Sequence, residues 1–449
     1  MISEFPYKIR RLLNSTMSEN ISSVRGFKDI LPGEVEKWQF VEETARDIFS
    51  TFGVMEIKIP ILEKTTLFQR GIGETTDIVE KEMYTFVDKG EESLTLRPEA
   101  TASVIRAYLQ HSLHAQNPLT KFFTIGPMFR RERPQKGRLR QFHQINVEFL
   151  GIGDAIIDAE IILMLMYLLK RLNINDLRLE LNSLGCGKCR PAFRSAVTDF
   201  LNHRKSEICD DCRRRMDSNP LRVFDCKIEG CRSVVTGAPI ILDFLCDECA
   251  AHFESVRDHL NIFDIPFDIN PRMVRGLDYY TRTAFEVTAG ALGAQNAVAG
   301  GGRYDRLVSE LGGPDLPGIG FAVGMERLIV LLSEQGDGDE SLFCYPDIFI
   351  AAIGRVARTW AFALCNYLRM SGIHAEMGYE EKSLKSQMKR SDKLKSAMTL
   401  ILGDQEIENN EAQLRDMKNS TQETISLDHF DRIAETILNK ISGRTEKID

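Results

Sequence analysis

The chain has 449 residues, enough for two or three domains, with 43% hydrophobic and 27% charged residues. That balance suits globular cores, and no apolar run is long enough to cross a bilayer. The formal net charge of −8 argues against non-specific coating of nucleic acid but leaves room for local basic patches.

The opening residues, MISEFPYKIRRLLNST, lack the continuous apolar segment and small-residue cleavage site of a secretory signal. The expected location is therefore cytoplasmic. Lys8, Arg10 and Arg11 keep an organelle-targeting reading open; a start at Met17 is the plainer alternative. Residues 1–20 are set apart as an extension.

From Glu34 to Phe52, Trp38, Val41, Ala45, Ile48 and Phe52 recur at helical spacing, and Gly53 is a plausible stop. VMEIKIP follows, with Met55, Ile57 and Ile59 on one face and Glu56 and Lys58 on the other. Pro60 confines that strand to a sheet edge or boundary. A long helix before such an edge suits pairing with a second copy of the chain; a helix simply packed on a sheet is the alternative. GIGETTD, from Gly71, is Gly-rich but lacks the lysine of a phosphate loop. SLTLRPEAT predicts a strand turning into a helix at Pro98. Glu99 and Thr101 there suit either an amine ligand or a helix cap.

Phe122 to Leu150, FFTIGPMFRRERPQKGRLRQFHQINVEFL, predicts a hairpin around a basic loop broken by Pro134 and Gly137. Residues two apart share a strand face. Arg130 and Glu132 therefore lie together on the first arm. Gln144, Asn146 and Glu148 lie together on the second, with Ile145, Val147 and Phe149 behind them. Charges on a face backed by a core need partners or a ligand. An arginine there can grip phosphate with two donors, and a carboxylate can accept from an amino group. An exposed edge with salt-bridged pairs is the plainer alternative.

Ala155 to Leu172 has a helical apolar pattern, and Leu177 to Gly185 predicts a strand and turn. Of ten cysteines, eight then cluster as Cys186-x-x-Cys189, Cys209-x-x-Cys212, Cys226-x4-Cys231 and Cys246-x-x-Cys249. Without a secretory signal, disulfides are the less favoured use. Two such pairs can make one tetrahedral thiolate site for structural zinc, and eight cysteines can make two. A reduced helical insertion with incidental thiols is the alternative.

Sheet character returns at Phe267. MVRGLDYYTRTAFEV places Arg275, Gly276 and Asp278 before an alternating strand. In AVAGGGRYD, three glycines before Arg303 allow close approach of backbone to a ligand, or form a turn. GIGFAVGMERLIVLL predicts a strand feeding a helix with Arg327 in its first turn, where a cation opposes the helix dipole and suggests an anionic ligand. The glycine spacing and the absence of βαβ alternation disfavour dinucleotide binding. After an acidic linker, strands and helices alternate from Asp347 as a small α/β domain. Its helix from Ser383 carries Lys385, Lys389, Arg390, Lys393 and Lys395, either a solvated face or an RNA contact.

FRRERPQKGRLRQFHQINVEF resembles motif 2 of class II aminoacyl-tRNA synthetases, IKIP motif 1 and GIGFAVGMERL motif 3. VRGLDYYTRTAFEV with GGGRYD is similar to the histidine-specific motifs of the histidyl-tRNA synthetase family. The resemblance implies an α+β fold: an antiparallel sheet flanked by helices, a helical Cys-rich insertion and a C-terminal anticodon-binding domain. The domain limits expected are 21–183 and 263–333 for the catalytic parts, 184–262 for the insertion, 334–346 for the linker and 347–449 for the last domain. It implies a homodimer that joins histidine to ATP, with Mg2+, and passes the histidyl group to the 3′ end of tRNA-His. It implies Arg130, Arg275 and Arg327 as catalytic residues. Arg130, Glu132, Arg138 and Arg327 would bind ATP. Glu99, Thr101, Gln144, Glu148, Tyr279 and Tyr280 would bind histidine. Arg133, Gln135, Lys136 and Arg140 would meet the tRNA acceptor stem. Ala100 stands where the family usually has glycine. The alternative within the resemblance is the non-catalytic, histidine-binding regulatory subunit of ATP phosphoribosyltransferase, which as a family feature lacks the last domain.

Overall fold

A computed structural model describes residues 21–73, 76, 78–134, 138–334 and 342–445. The chain divides into two compact units, residues 1–339 and 340–449, within the expected linker.

The first unit is built on eight strands: β1 (Met55–Glu56), β5 (Thr120–Phe129), β6 (Gln141–Leu150), β7 (Leu177–Ser183), β8 (Asp268–Ile269), β9 (Thr281–Ala289), β10 (Ala297–Arg303) and β11 (Gly318–Gly324). Their order is β1-β5-β6-β11-β10-β9-β7-β8. The two-residue edge strands β1 and β8 run parallel to their neighbours, and the other pairings are antiparallel. The expected alternating strand at VMEIKIP is thus cut to Met55–Glu56, although it does lie at the sheet edge. A second, three-stranded sheet joins β2 (Leu62–Lys64), β4 (Ser93–Leu96) and β3 (Tyr84–Val87).

The β5–β6 hairpin pairs without a register shift from Thr120 opposite Leu150 to Phe129 opposite Gln141. Its apolar face carries Phe123, Ile145, Val147 and Phe149 into the main core, where the helices Val35–Thr51 and Ala155–Arg171 cover them. Each such side chain contributes about 1.5–3 kcal/mol when buried. A one-residue slip would turn Gln144, Asn146 and Glu148 into that core, so the apolar stripe fixes which side of the sheet is polar. The central glycines are required by close packing. A Cβ on Gly301 would strike the carbonyl oxygen of Gly320 and the ring of Phe285, and one on Gly320 would strike the Glu148 carboxylate. Gly300, Gly301 and Gly302 therefore lie inside β10, not in a turn.

Arg303, just after them, is fully buried and ion-paired with buried Asp158 of the helix Ala155–Arg171, and also with Asp305 at 3.1 Å. It ties β10 to the helical layer. The Cys-rich segment is helical, with helices Arg190–Asn202, Asp210–Ser218, Glu229–Thr236 and Asp247–Ile262. Phe193, Val197, Leu201, Ile208 and Val223 form its own small core. Its last helix sends Phe253, Val256 and Leu260 into the main core.

The second unit has strands β12 (Ile348–Ile353), β13 (Ala375–Met377), β14 (Met398–Gly403), β15 (Glu411–Asp416) and β16 (Gln422–Ser426), ordered β13-β12-β14-β15-β16. The first three are parallel and the last two antiparallel. Helices Arg355–Met370 and Phe430–Thr445 cover the sheet. On the helix Leu384–Lys393, Lys385, Lys389, Arg390 and Lys393 are exposed, while Gln387 is buried and hydrogen-bonds both backbone groups of Ala352. Among the described residues no helix is long and apolar enough to cross a membrane.

Candidate active site

The polar face of β6 floors a cavity of about 340 Å³. Arg130 from the end of the hairpin, Arg275 from the loop before β9 and Arg327 from the helix Met325–Glu334 all line it. Three segments far apart in sequence thus bring guanidinium groups to one hollow. Arg130 donates to the carbonyl oxygen of Pro98 at 2.9 Å and lies over the Phe142 ring. Arg275 is ion-paired with Glu286 and faces the Tyr280 ring, while a Cβ on Gly300 would strike its guanidinium. Arg327 donates to the carbonyl oxygen of Ala297. Burial, then the nearby Arg138 cation, lowers its pKa, and Glu132 opposes them. Arg130, Arg138 and Arg327 lie close enough to repel one another, so this side of the cavity favours an anion, while Glu99, Glu132, Asp225, Glu286 and Glu326 also line it.

Glu132 and Arg138 also line the cavity and pair with each other at 2.8 Å. Glu99, Thr101, Gln144, Tyr279 and Tyr280 complete the expected set at its walls. Glu99 accepts from the backbone N–H groups of Thr101 and Ala102, at 2.8 and 2.9 Å, so it caps the helix Thr101–Gln110 while facing the cavity. The helix-cap reading therefore holds, and the carboxylate also lines the cavity. Burial raises its pKa, against those hydrogen bonds and the Arg130 charge. Gln144 Oε1 and Asn146 Nδ2 are buried without a protein partner, a costly state that a polar ligand would relieve.

Glu148 occupies the expected strand face but sits deeper than the other residues expected around histidine. It lies beneath the cavity wall, 1% exposed, accepting from Thr101 Oγ1 at 2.6 Å and from the Tyr304 hydroxyl. Burial raises its pKa to about 8, against those two hydrogen bonds. It orients Thr101 and Tyr304 and does not itself line the hollow. The Arg140 side chain donates to the carbonyl oxygens of Glu132 and Arg25, pinning the chain at Gly26. Arg133 is exposed beside the cavity loop, and Gln135 and Lys136 lie outside the described residues. Ala100 is fully buried at φ −99°, a conformation open to any L-residue, so glycine is not needed there.

The expected site set lacked Asn146, Glu286, Asp225 and Tyr304, although strand alternation puts Asn146 on the polar face. Asn146 shares the strand face of Gln144 and was legible by period two. Glu286 and Asp225 reach the cavity only through long-range packing.

The cysteines form two groups: Cys186, Cys189, Cys246 and Cys249, and Cys209, Cys212, Cys226 and Cys231. Within each, the sulfurs lie within 4.8 Å of one another, and all are free thiols. The first and last pairs of the sequence meet, enclosing the middle two. Such groups can hold a metal ion.

A largely antiparallel sheet with arginines from a hairpin, a loop and a following helix around one polar face defines a class II aminoacyl-tRNA synthetase unit. The family model described as Histidyl-tRNA synthetase matches residues 26–190 and 225–328, and the Anticodon binding domain model matches 347–436. The curated histidine–tRNA ligase of Trichlorobacter lovleyi is 52% identical over 94% of this chain and 99% of its own. That of Geobacter sulfurreducens is 54% identical over 91% of this chain and 97% of its own. The solved apo histidyl-tRNA synthetase of S. aureus superposes with a TM-score of 0.79 at 36% identity, covering 93% of this chain and 99% of that one. The chain belongs to the histidyl-tRNA synthetase family.

Proposed function

We propose that the chain activates histidine with ATP and transfers it to tRNA-His. The observation that carries this is the convergence of Arg130, Arg275 and Arg327 on a cavity whose floor is polar and whose side is aromatic. The histidine carboxylate attacks the α-phosphate of Mg2+-bound ATP, a new carboxyl–phosphate bond forms, and pyrophosphate leaves. A hydroxyl of the tRNA 3′ end then attacks the acyl carbon and AMP departs. Negative charge gathers on the phosphate oxygens in the first step, and fixed guanidinium groups stabilise it without a protein nucleophile.

Arg130 and Arg275 serve the α-phosphate, and Arg327 serves the adenine and γ-phosphate. Glu132 exchanges Arg138 for the adenine amino group, which frees Arg138 for phosphate. Glu99, Thr101 and Gln144 take the histidine ammonium, and Tyr279 and Tyr280 flank the imidazole. Arg133 and the loop beyond it meet the acceptor stem, and Arg140 braces that loop. Each cysteine group holds one structural zinc ion. The edge strand β1, with Met55 and Ile61 exposed nearby, suits a homodimer interface, and sedimentation at the monomer mass would exclude it. Cytoplasmic work is expected.

The regulatory-subunit alternative is set aside. Relatives spanning more than nine-tenths of the chain are ligases, and the last domain matches an anticodon-binding model. A solved chain titled as an ATP phosphoribosyltransferase regulatory subunit/histidyl-tRNA synthetase, from Bacillus halodurans, is only 16% identical and shares the fold. Charging of a tRNA-His transcript with labelled histidine tests the proposal. Arg275→Ala should slow it by about 10²–10³-fold; unchanged charging removes Arg275 from the catalytic set.

A further inference from the structure

Residues 270–280, between β8 and β9, have no strand partner, yet carry Arg275, Tyr279 and Tyr280 to the cavity. Behind this loop lies a second hollow of about 540 Å³, lined by Arg275, Leu277 and Tyr280 on one side and by Phe193, Leu221 and Phe224 of the insertion on the other. The loop is therefore a thin partition with little packing at its back. The catalytic unit holds its first half, where Asn182 donates to the carbonyl oxygen of Met273 at 3.0 Å and Arg275 pairs with Glu286, and the insertion holds much of the rest. Arg222 donates to the carbonyl oxygen of Gly276 at 3.1 Å and to Asp278 at 2.7 Å. Asn219 donates to Asp278 at 3.3 Å, and Arg190 donates to the carbonyl oxygen of Tyr280. Asp225 reaches through to line the active-site cavity itself.

These struts sit beside the cysteines. Arg190 follows Cys189, and Arg222 and Asp225 lead into Cys226. Four sulfurs around one zinc at about 2.3 Å stand about 3.8 Å apart. The observed separations are 3.6 Å for Cys186–Cys189, 3.9 Å for Cys186–Cys246 and 4.0 Å for Cys209–Cys226. Backbone N–H groups of Cys246 and Cys209 point at sulfurs of Cys189 and Cys231, each at 3.2 Å, the outer support expected of thiolate ligands. The first group closes the insertion at its two ends, and the second ties the strut segment to the helix Glu229–Thr236. Asn219 and Arg222 lie in the stretch 191–224 that the family model leaves unmatched.

We infer that the two zinc-bound cysteine groups make the insertion a rigid brace which, through Arg222, Asn219 and Arg190, positions the substrate loop 270–280. This rests on the zinc reading above. The brace acts on the histidine end of the site, since Arg222 holds the residues flanking Leu277 and leading into Tyr279. Of the ATP-facing residues only Arg275 rides on this loop, where Glu286 also holds it; those on the hairpin and on the helix Met325–Glu334 are not braced this way.

The test uses the full-length protein. Metal analysis should find two zinc ions per chain. Stripping zinc with a chelator, then removing the chelator before adding Mg2+, should raise the KM for histidine about tenfold and leave the KM for ATP within about twofold. Zinc should restore it and added Mg2+ should not. Arg222→Ala in zinc-loaded protein should give the same split with a melting temperature only ~2 °C lower, and Arg222→Lys should recover part of it. A normal histidine KM in Arg222→Ala, or equal rises for both substrates, overturns the brace while leaving the zinc sites standing. Zinc-free protein with a normal histidine KM overturns the metal's part in it. Should stripped protein unfold, the Arg222 variants alone decide.

Discussion

Glu148 is a carboxylate held where a negative charge is poorly tolerated. Its oxygens accept from Thr101 and Tyr304, it is 1% exposed, and burial raises its pKa to about 8 from an ordinary 4.5. The folded chain therefore holds this proton more tightly than the unfolded one. The stability it contributes is complete below the ordinary carboxylate value and is lost as pH rises through about 8. Thermal unfolding followed from pH 5 to 8 should show this decline, and Glu148→Gln should flatten it; an equally steep decline in the variant would assign it to other groups. A histidine ammonium bound at Glu99 would draw both carboxyls toward ionisation. Histidine binding near neutral pH should therefore release protons, seen by calorimetry in buffers of different ionisation enthalpy. Proton uptake would contradict the assignment. The position of Glu148 was legible from strand alternation, but its depth was not. Depth depends on Gly320 of β11, whose missing side chain makes room for the carboxylate.

At the scale of elements, the β5–β6 hairpin was the most readable part of the chain. Its alternation assigned the face that enters the main core correctly, whereas the other face, expected polar, also buries Phe122, Met128 and Leu150 in a second apolar cluster. The triple glycine of β10 was ambiguous, since glycine marks turns and close strand packing alike. Only the neighbouring strands decide between them. The hairpin β15–β16 escaped sequence reading because EAQLRD and QETIS are largely polar, with Ala412, Leu414 and Ile425 as their inward residues. Arg303 looked like part of a ligand motif, yet its guanidinium is wholly buried against Asp158 and Asp305. Arg303→Met should leave Asp158 buried without its cation and destabilise the first unit by about 3–5 kcal/mol in denaturant titration. A loss under 1 kcal/mol would mean that water reaches the pair.

Across the whole molecule, the expected gathering of arginines is present, and the expected cysteine sites are present as sulfur geometry. Sequence spacing could not reveal that the outer cysteine pairs close around the inner ones, because that depends on the insertion folding back onto its own stem. Nor could it reveal that the insertion backs the loop bearing Arg275. Motif order supplied the reaction, while packing supplied the supports. The central claim is that this one cavity joins the histidine carboxylate to the α-phosphate of ATP. Its most direct test is exchange of labelled pyrophosphate into ATP by the purified chain without tRNA. Exchange should depend on histidine and fall by about 10²–10³-fold in Arg130→Ala. Folded protein that binds histidine yet exchanges no pyrophosphate would contradict it.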